Sequence, residues 1–237
     1  MVGIRGDCMP LARSRWQHER STPDMNPAEP QAIPGPAGML EIRVDRPAPS
    51  APLTARAVVI CHPHPLMGGT MDNKVVTTLA RAATDLGWRA VRFNFRGVGG
   101  SAGTFDHGRG EYEDARAVLA WAAQQWPGEL PALAGFAFGA WVALRLALDV
   151  PVARLLTVAP PVGRFSDFPA HAPSCPWWVI QGMMDEVVDA RQVMDWAGRM
   201  TPPPRLITLP GVSHFFHGQL TTLRDLAHRF YQGQGET

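Results

Sequence analysis

The sequence predicts an α/β fold: a mostly parallel sheet with helices on both faces. Two observations carry the expectation. Short apolar runs alternate with helical patterns along nearly the whole chain, and those runs are largely apolar instead of strictly alternating apolar with polar. Strands that must be covered on both sides belong to parallel sheets flanked by helices. The 237 residues suit one such domain better than two.

The elements follow in order. Residues 1–37 are polar and rich in Pro and Gly, and read as a flexible N-terminal extension; Met25 could equally well begin the chain. The domain is expected over 38–237. Residues 40–44 read as a strand and 56–61 ("RAVVIC") as a buried one. Residues 72–86 read as a helix with Val75, Val76, Leu79, Ala82 and Ala83 on one face. A strand over 88–95 and a helix over 111–126 come next, the helix aligning Ala115, Val118, Leu119 and Ala122. Strand 132–136, helix 138–148, strands 154–158 and 177–181, helix 190–199, strand 205–209 and helix 220–231 complete the pattern. Sheets of this kind place their site outside the carboxyl ends of the strands.

Composition narrows the function classes. Twenty-two basic residues against 21 acidic ones give a net charge of +1, which favours neither nucleic acid nor an anionic membrane as partner. Lys74 is the only lysine, a coding bias without functional content. Cys8, Cys61 and Cys175 are an odd number at unrelated spacings, neither a disulfide framework nor a zinc ribbon, and suit a reducing compartment. The apolar stretch 130–144 is interrupted by Pro131, Gly135 and Gly139, short of the about 20 residues that span a bilayer. The N-terminal arginines precede no apolar core, so a secretory signal is not expected and the protein reads as soluble and cytoplasmic. A homo-oligomer is left open.

The chemistry lies in three strand ends. Gly135-Phe136-Ala137-Phe138-Gly139, between a strand and a helix, reads G-x-A-x-G where a nucleophile elbow reads G-x-S-x-G. On its own it could be a Gly-rich turn that only packs. Asp185 ("QGMMDEVVD") and His214 ("PGVSHFFHG") follow later strands. Nucleophile position, acid, histidine is the chain order of a hydrolase triad on this type of sheet. Glu186 and Asp189 compete for the acid role and His217 for the base. "CHPHPLMGG" (61–69) leaves a buried strand and offers one oxyanion donor, the backbone N–H of His64, because Pro63 and Pro65 have none. The other donor is the N–H of Phe138. The rings of His62 and His64 could simply bond loop carbonyls.

"HPHPLMGGTMDNKVV", "FNFRGVGGSAGTFDHGRGE", "AGFAFGA", "QGMMDEVV" and "GVSHFFHG", in this order, resemble a compact group of bacterial α/β-hydrolases, serine-esterase-like and related to dienelactone hydrolases. The resemblance spans roughly 38–226 and implies the α/β-hydrolase fold, with Asp185 as triad acid, His214 as base, and oxyanion donors at His64 and Phe138. The family's nucleophile is a serine, and Ala137 stands in its place. Where many relatives insert a lid, residues 160–176 are too short for a helical cap domain, so an open site is expected. Met67, Met183 and Phe215 are expected to bind a small or medium acyl ester, with Trp141, Met184 and Phe216 as further candidates for the lining. No metal or organic cofactor is required.

An alanine methyl cannot attack a carbonyl, so the chain is expected to be inactive or severely impaired as it stands. Ser101 and Ser213 are the nearest hydroxyls, and neither lies on the elbow. Either the serine was replaced deliberately to trap an ester, or the lineage lost hydrolysis and kept binding. The intact Asp185, His214 and loop motifs favour a recent or engineered loss. Two other readings fail on spacing. "GVGGSA" (97–102) fits a dinucleotide fingerprint, but no helix opens on its glycines and the expected acid falls near Ala117. His62, His64, Asp185, His214 and His217 do not form a standard metal-ligand spacing. The reading from a different class is a non-catalytic protein that holds a small acyl compound.

Overall fold

In a computed structural model the described residues are 30–48, 51, 53–165 and 168–234. Eight strands form one sheet: β1 (Gln31–Gly35), β2 (Gly38–Asp45), β3 (Ala57–Cys61), β4 (Arg89–Phe93), β5 (Ala132–Phe136), β6 (Leu155–Val158), β7 (Trp177–Gly182) and β8 (Arg205–Leu209). Their spatial order is β1-β2-β4-β3-β5-β6-β7-β8. β2 pairs antiparallel with β1 and β4, and every other pairing is parallel. The mostly parallel sheet expected from the sequence is present.

The helices are α1 (Lys74–Thr84), α2 (Arg109–Gln125), α3 (Phe138–Asp149), α4 (Ala190–Gly198) and α5 (Leu220–Tyr231). They divide between the faces. Val118, Leu119, Val142, Leu146 and Val193, from α2, α3 and α4, pack with Val59, Leu133 and Val179 on one side. Val76, Leu79, Leu223 and Phe230, from α1 and α5, pack with Val58, Ile60 and Ile180 on the other. Every residue of β3, β5, β6 and β7 is buried. This double covering explains why these strands read as largely apolar runs.

Boundaries differ from expectation at several elements, and two of the differences have clear local reasons. The extension was expected to reach residue 37, but Gln31–Gly35 is a strand: it pairs with β2 and buries Ile33 against the α2–α4 face. Pro34 lies in it, tolerated because β1 is the sheet edge. The rest of the expected extension, residues 1–29 with Cys8 and Met25, lies outside the described residues. Helix α2 begins two residues earlier than expected. The Glu111 carboxylate accepts from the N–H groups of Asp106 and Gly108, satisfying donors that the start of a helix leaves open.

Between β6 and β7, the described residues contain no helix or strand, consistent with the absence of a large cap. No helix among the described residues is long and apolar enough to cross a membrane.

Candidate active site

The parallel register sets the carboxyl ends of β5, β6, β7 and β8 side by side. Phe136 pairs with Val158, Val158 with Ile180, and Gly182 with Leu209. Ala137 follows β5 immediately and bonds to β6 through its N–H and the Val158 carbonyl (2.9 Å). Its φ of 50° and ψ of −119° lie in a region that side chains avoid. Holding a non-glycine residue there costs about 1–3 kcal/mol. The chain therefore keeps the strained turn although its side chain is only a methyl.

The two glycines of the turn are fixed by sterics. A Cβ on Gly135 would lie 2.2 Å from the Gly139 carbonyl oxygen, and one on Gly139 would lie 2.3 Å from the Cys61 oxygen. Strand, elbow and the neighbouring β3 thus approach as closely as backbones can.

Asp185 sits three residues past β7 with its side chain fully buried. Its Oδ1 accepts from the N–H groups of Val187 (2.9 Å) and Val188 (2.7 Å). Its Oδ2 accepts from His214 Nδ1 (2.8 Å) and Gln181 Nε2 (3.0 Å). Burial alone would raise this carboxyl. The His214 hydrogen bond, the Val188 N–H, the His214 charge and the Val187 N–H outweigh it and hold the group below the usual range. The His214 ring is buried and packs on Phe136, the residue before Ala137, with centroids 5.0 Å apart. With Nδ1 committed to Asp185, Nε2 is the nitrogen left for chemistry.

The competing residues have other partners. Glu186 accepts from the backbone N–H of His214 (3.1 Å) and not from its ring. Asp189 caps α4 by accepting from Arg191 N–H (2.9 Å). His217 is exposed and stands beside Phe215 (6.0 Å between rings). Ser101 is buried, donating to the Asn94 carbonyl (2.6 Å) and accepting from Glu41 N–H (2.9 Å). Ser213 follows β8, and its carbonyl accepts from the N–H of Phe216 (3.1 Å).

The loop after β3 is held by His62. This buried ring donates from Nδ1 to the Pro63 carbonyl (2.6 Å) and accepts the Phe95 N–H at Nε2 (3.0 Å). Both nitrogens are used, so no lone pair remains for a metal. Among the described residues no group of three or more His, Cys, Asp or Glu side chains converges as a metal site would. His64 opens a short 3-10 turn (Pro65–Met67), its Nδ1 accepting from Leu66 N–H (3.2 Å). Its ring lies 5.0 Å from that of Phe138. This contact brings together the two residues whose N–H groups were expected to act as a pair. Among the described residues, neither N–H is committed to another loop or strand partner.

The expected substrate residues divide. Met67 is 84% exposed, Met183 37% and Phe215 43%, all on loops at the carboxyl edge. Phe215 contacts His214 (5.0 Å between rings), and Met183 lines, with Asp185 and Glu186, a cavity of about 630 Å³. Met184 is also exposed. Phe216 is fully buried in the α1–α5 face, and Trp141 is buried and stacked on Phe165 (4.0 Å), so both are core residues. The expected dinucleotide mimic, 97–102, is a loop: the N–H of Gly100 donates to Glu41 (2.7 Å). Gln181 and Glu186 were not singled out as partners of the pair, because their bonds depend on how the loops fold back.

A family model described as X-Pro dipeptidyl-peptidase (S15 family) matches residues 38–169. An uncharacterized protein of Rickettsia prowazekii is 38% identical over 193 residues, 77% of this chain and 79% of its own. The structure resembles that of an α/β serine hydrolase without a lid from Xanthomonas campestris. That protein is 43% identical, with a TM-score of 0.82, covering 90% of this chain and 97% of that one. An α/β serine hydrolase homologue from Coxiella burnetii is 46% identical, with a TM-score of 0.80 and coverage of 85% and 96%. By sequence and fold together, the chain belongs to the S15 family of the α/β-hydrolases and shares the fold of these bacterial serine hydrolases.

Proposed function

We propose that this site is built for carboxylic-ester hydrolysis by a Ser-His-Asp mechanism. The nucleophile position is Ala137, so the chain as it stands is inactive or severely impaired. The observation that carries the reading is the 2.8 Å bond from His214 Nδ1 to Asp185, together with the strained elbow at Ala137. Residues that served only packing would not need either.

With a serine at 137, its hydroxyl would attack the ester carbonyl while His214 Nε2 takes the proton. Asp185 would hold the imidazole and stabilise its charged form. The N–H groups of His64 and Phe138 would hold the tetrahedral oxyanion, and His214 would then pass the proton to the leaving alcohol. Water, activated by the same imidazole, would release the acid. No cofactor enters. Met67, Met183 and Phe215 would contact a small or medium acyl ester on an open site. We place this chemistry in the cytoplasm. Cys61 and Cys175 are free thiols, and burial raises both, Cys175 to about 11, which leaves them unreactive in a reducing compartment.

Ala137 itself favours a second reading, a protein that holds a small acyl compound without turning it over. One experiment separates the two: hydrolysis of p-nitrophenyl acetate and butyrate by the chain and its Ala137→Ser variant, with Ala-Pro-p-nitroanilide as a peptide substrate of the type the family's description names. A gain of about a thousandfold or more on restoring serine, lost again with His214→Ala, supports the esterase. Background rates in Ala137→Ser at every acyl length would favour the binding protein, and cleavage of the anilide alone would replace ester by peptide.

A further inference from the structure

We infer that Gln181 is a positioning residue for the Asp185–His214 pair: its buried amide N–H occupies the second acceptor direction of the carboxylate oxygen to which the imidazole bonds. For its effect on turnover, the inference rests on the hydrolase reading above; for its effect on the imidazole it does not.

A carboxylate oxygen offers two lone-pair directions. Both oxygens of Asp185 are filled: Oδ1 by Val187 and Val188, and Oδ2 by His214 and Gln181. The two backbone donors pin one side of the carboxylate. On the other side, Gln181 Nε2 at 3.0 Å is the donor that fixes where Oδ2 can offer its remaining direction to His214. Without it, Oδ2 answers to the imidazole alone.

The orientation of this amide is determined by its neighbours. Nε2 also donates to the Gly182 carbonyl (3.0 Å). Turning the amide over would set Oε1 against two acceptors, that carbonyl and the Asp185 carboxylate.

Holding the amide here carries a cost that packing would not choose. Gln181 is fully buried in β7, and its Oε1 has no hydrogen-bond partner among the described residues. An orphaned buried acceptor destabilises a fold, and an apolar side chain of similar length would remove it. Trp177 and Val179, which share its face of the strand, are apolar and belong to the core on that side. A glutamine in that row makes sense through what its N–H does for Asp185.

The test uses Gln181→Met in two backgrounds. In the chain as it stands, the Met variant is expected to melt at the same or a higher temperature. Meanwhile the His214 Nδ1–H proton resonance shifts and exchanges with water faster. In the Ala137→Ser background, kcat for p-nitrophenyl acetate is expected to fall about tenfold with KM within about twofold. The acid limb of its pH profile should move up, because Asp185 loses a donor and becomes more basic. An unchanged His214 resonance and exchange rate in Gln181→Met, whatever its melting temperature, would overturn the inference. If Ala137→Ser hydrolyses nothing, the esterase reading falls, and the resonance in the chain as it stands still decides the role of Gln181.

Discussion

Gly139, in the first turn of α3, lies directly against the carbonyl of Cys61 at the end of β3; a Cβ there would stand 2.3 Å from that oxygen. The contact is backbone to backbone, so no side chain can yield. It also sets the spacing between the two segments that carry the Phe138 and His64 N–H groups. Gly139→Ala is therefore expected to cost about 1–3 kcal/mol, measured as a lower urea midpoint at unchanged m-value. In the Ala137→Ser background it should also lower kcat more than it raises KM, because the two proposed oxyanion donors move apart.

The Asp185 carboxylate collects three backbone and side-chain donors besides the imidazole. Asp185→Asn in the Ala137→Ser background keeps the shape but presents an amide N–H where an acceptor is needed, or else loses the negative charge that steadies the imidazolium. A fall in kcat of about ten-thousandfold is expected, by analogy with triads in general. Full activity in this variant would transfer the acid role elsewhere. The depressed carboxyl also stabilises the fold at neutral pH. That contribution is complete above the ordinary carboxylate range of about 4 and is lost as pH falls through the lower folded value.

His62 acts in a different pH window and with a different sign of charge. Burial lowers this ring to about 4, with the Pro63 carbonyl opposing the shift. The folded state thus holds a neutral imidazole where the unfolded chain would bind a proton below about 6.5. Stability from this group is full above pH 6.5 and declines as pH falls towards 4, by about 2–3 kcal/mol over the window. Ring ¹⁵N shifts should report a neutral Nδ1–H tautomer still at pH 5.5. A titration midpoint above 6 would remove the argument.

The elements that could be read from the sequence are those whose pattern is local. Strands 132–136 and 205–209 and helix 220–231 coincide with β5, β8 and α5, because their ends carry Gly, Pro or a change of period. Residues 31–35 could not be read as a strand. Gln31-Ala32-Ile33-Pro34-Gly35 has one buried side chain, Ile33, and owes its conformation to pairing with β2. The site divides in the same way. Ala137, Asp185 and His214 stand just past strands, so chain order was enough to place the three candidates at one sheet edge. Phe216 and Phe215 are adjacent and chemically identical, yet one is core and the other half-exposed. A positive φ of 55° at Phe216 turns the chain between them, which residue type cannot announce.

Tyr231 closes α5 with its ring between Trp88 (5.2 Å) and Phe230 (5.3 Å), fully buried. Burial pushes its phenol far above the ordinary tyrosine value, so the hydroxyl stays protonated. That hydroxyl has no hydrogen-bond partner among the described residues. Its desolvation is therefore uncompensated, while the ring supplies all of the packing. Tyr231→Phe removes the oxygen and keeps the ring. The expected result is a gain of about 1 kcal/mol, read as a higher urea midpoint with the same m-value. The opposite sign, a loss of comparable size, would mean that the hydroxyl holds an ordered water inside the α1–α5 face.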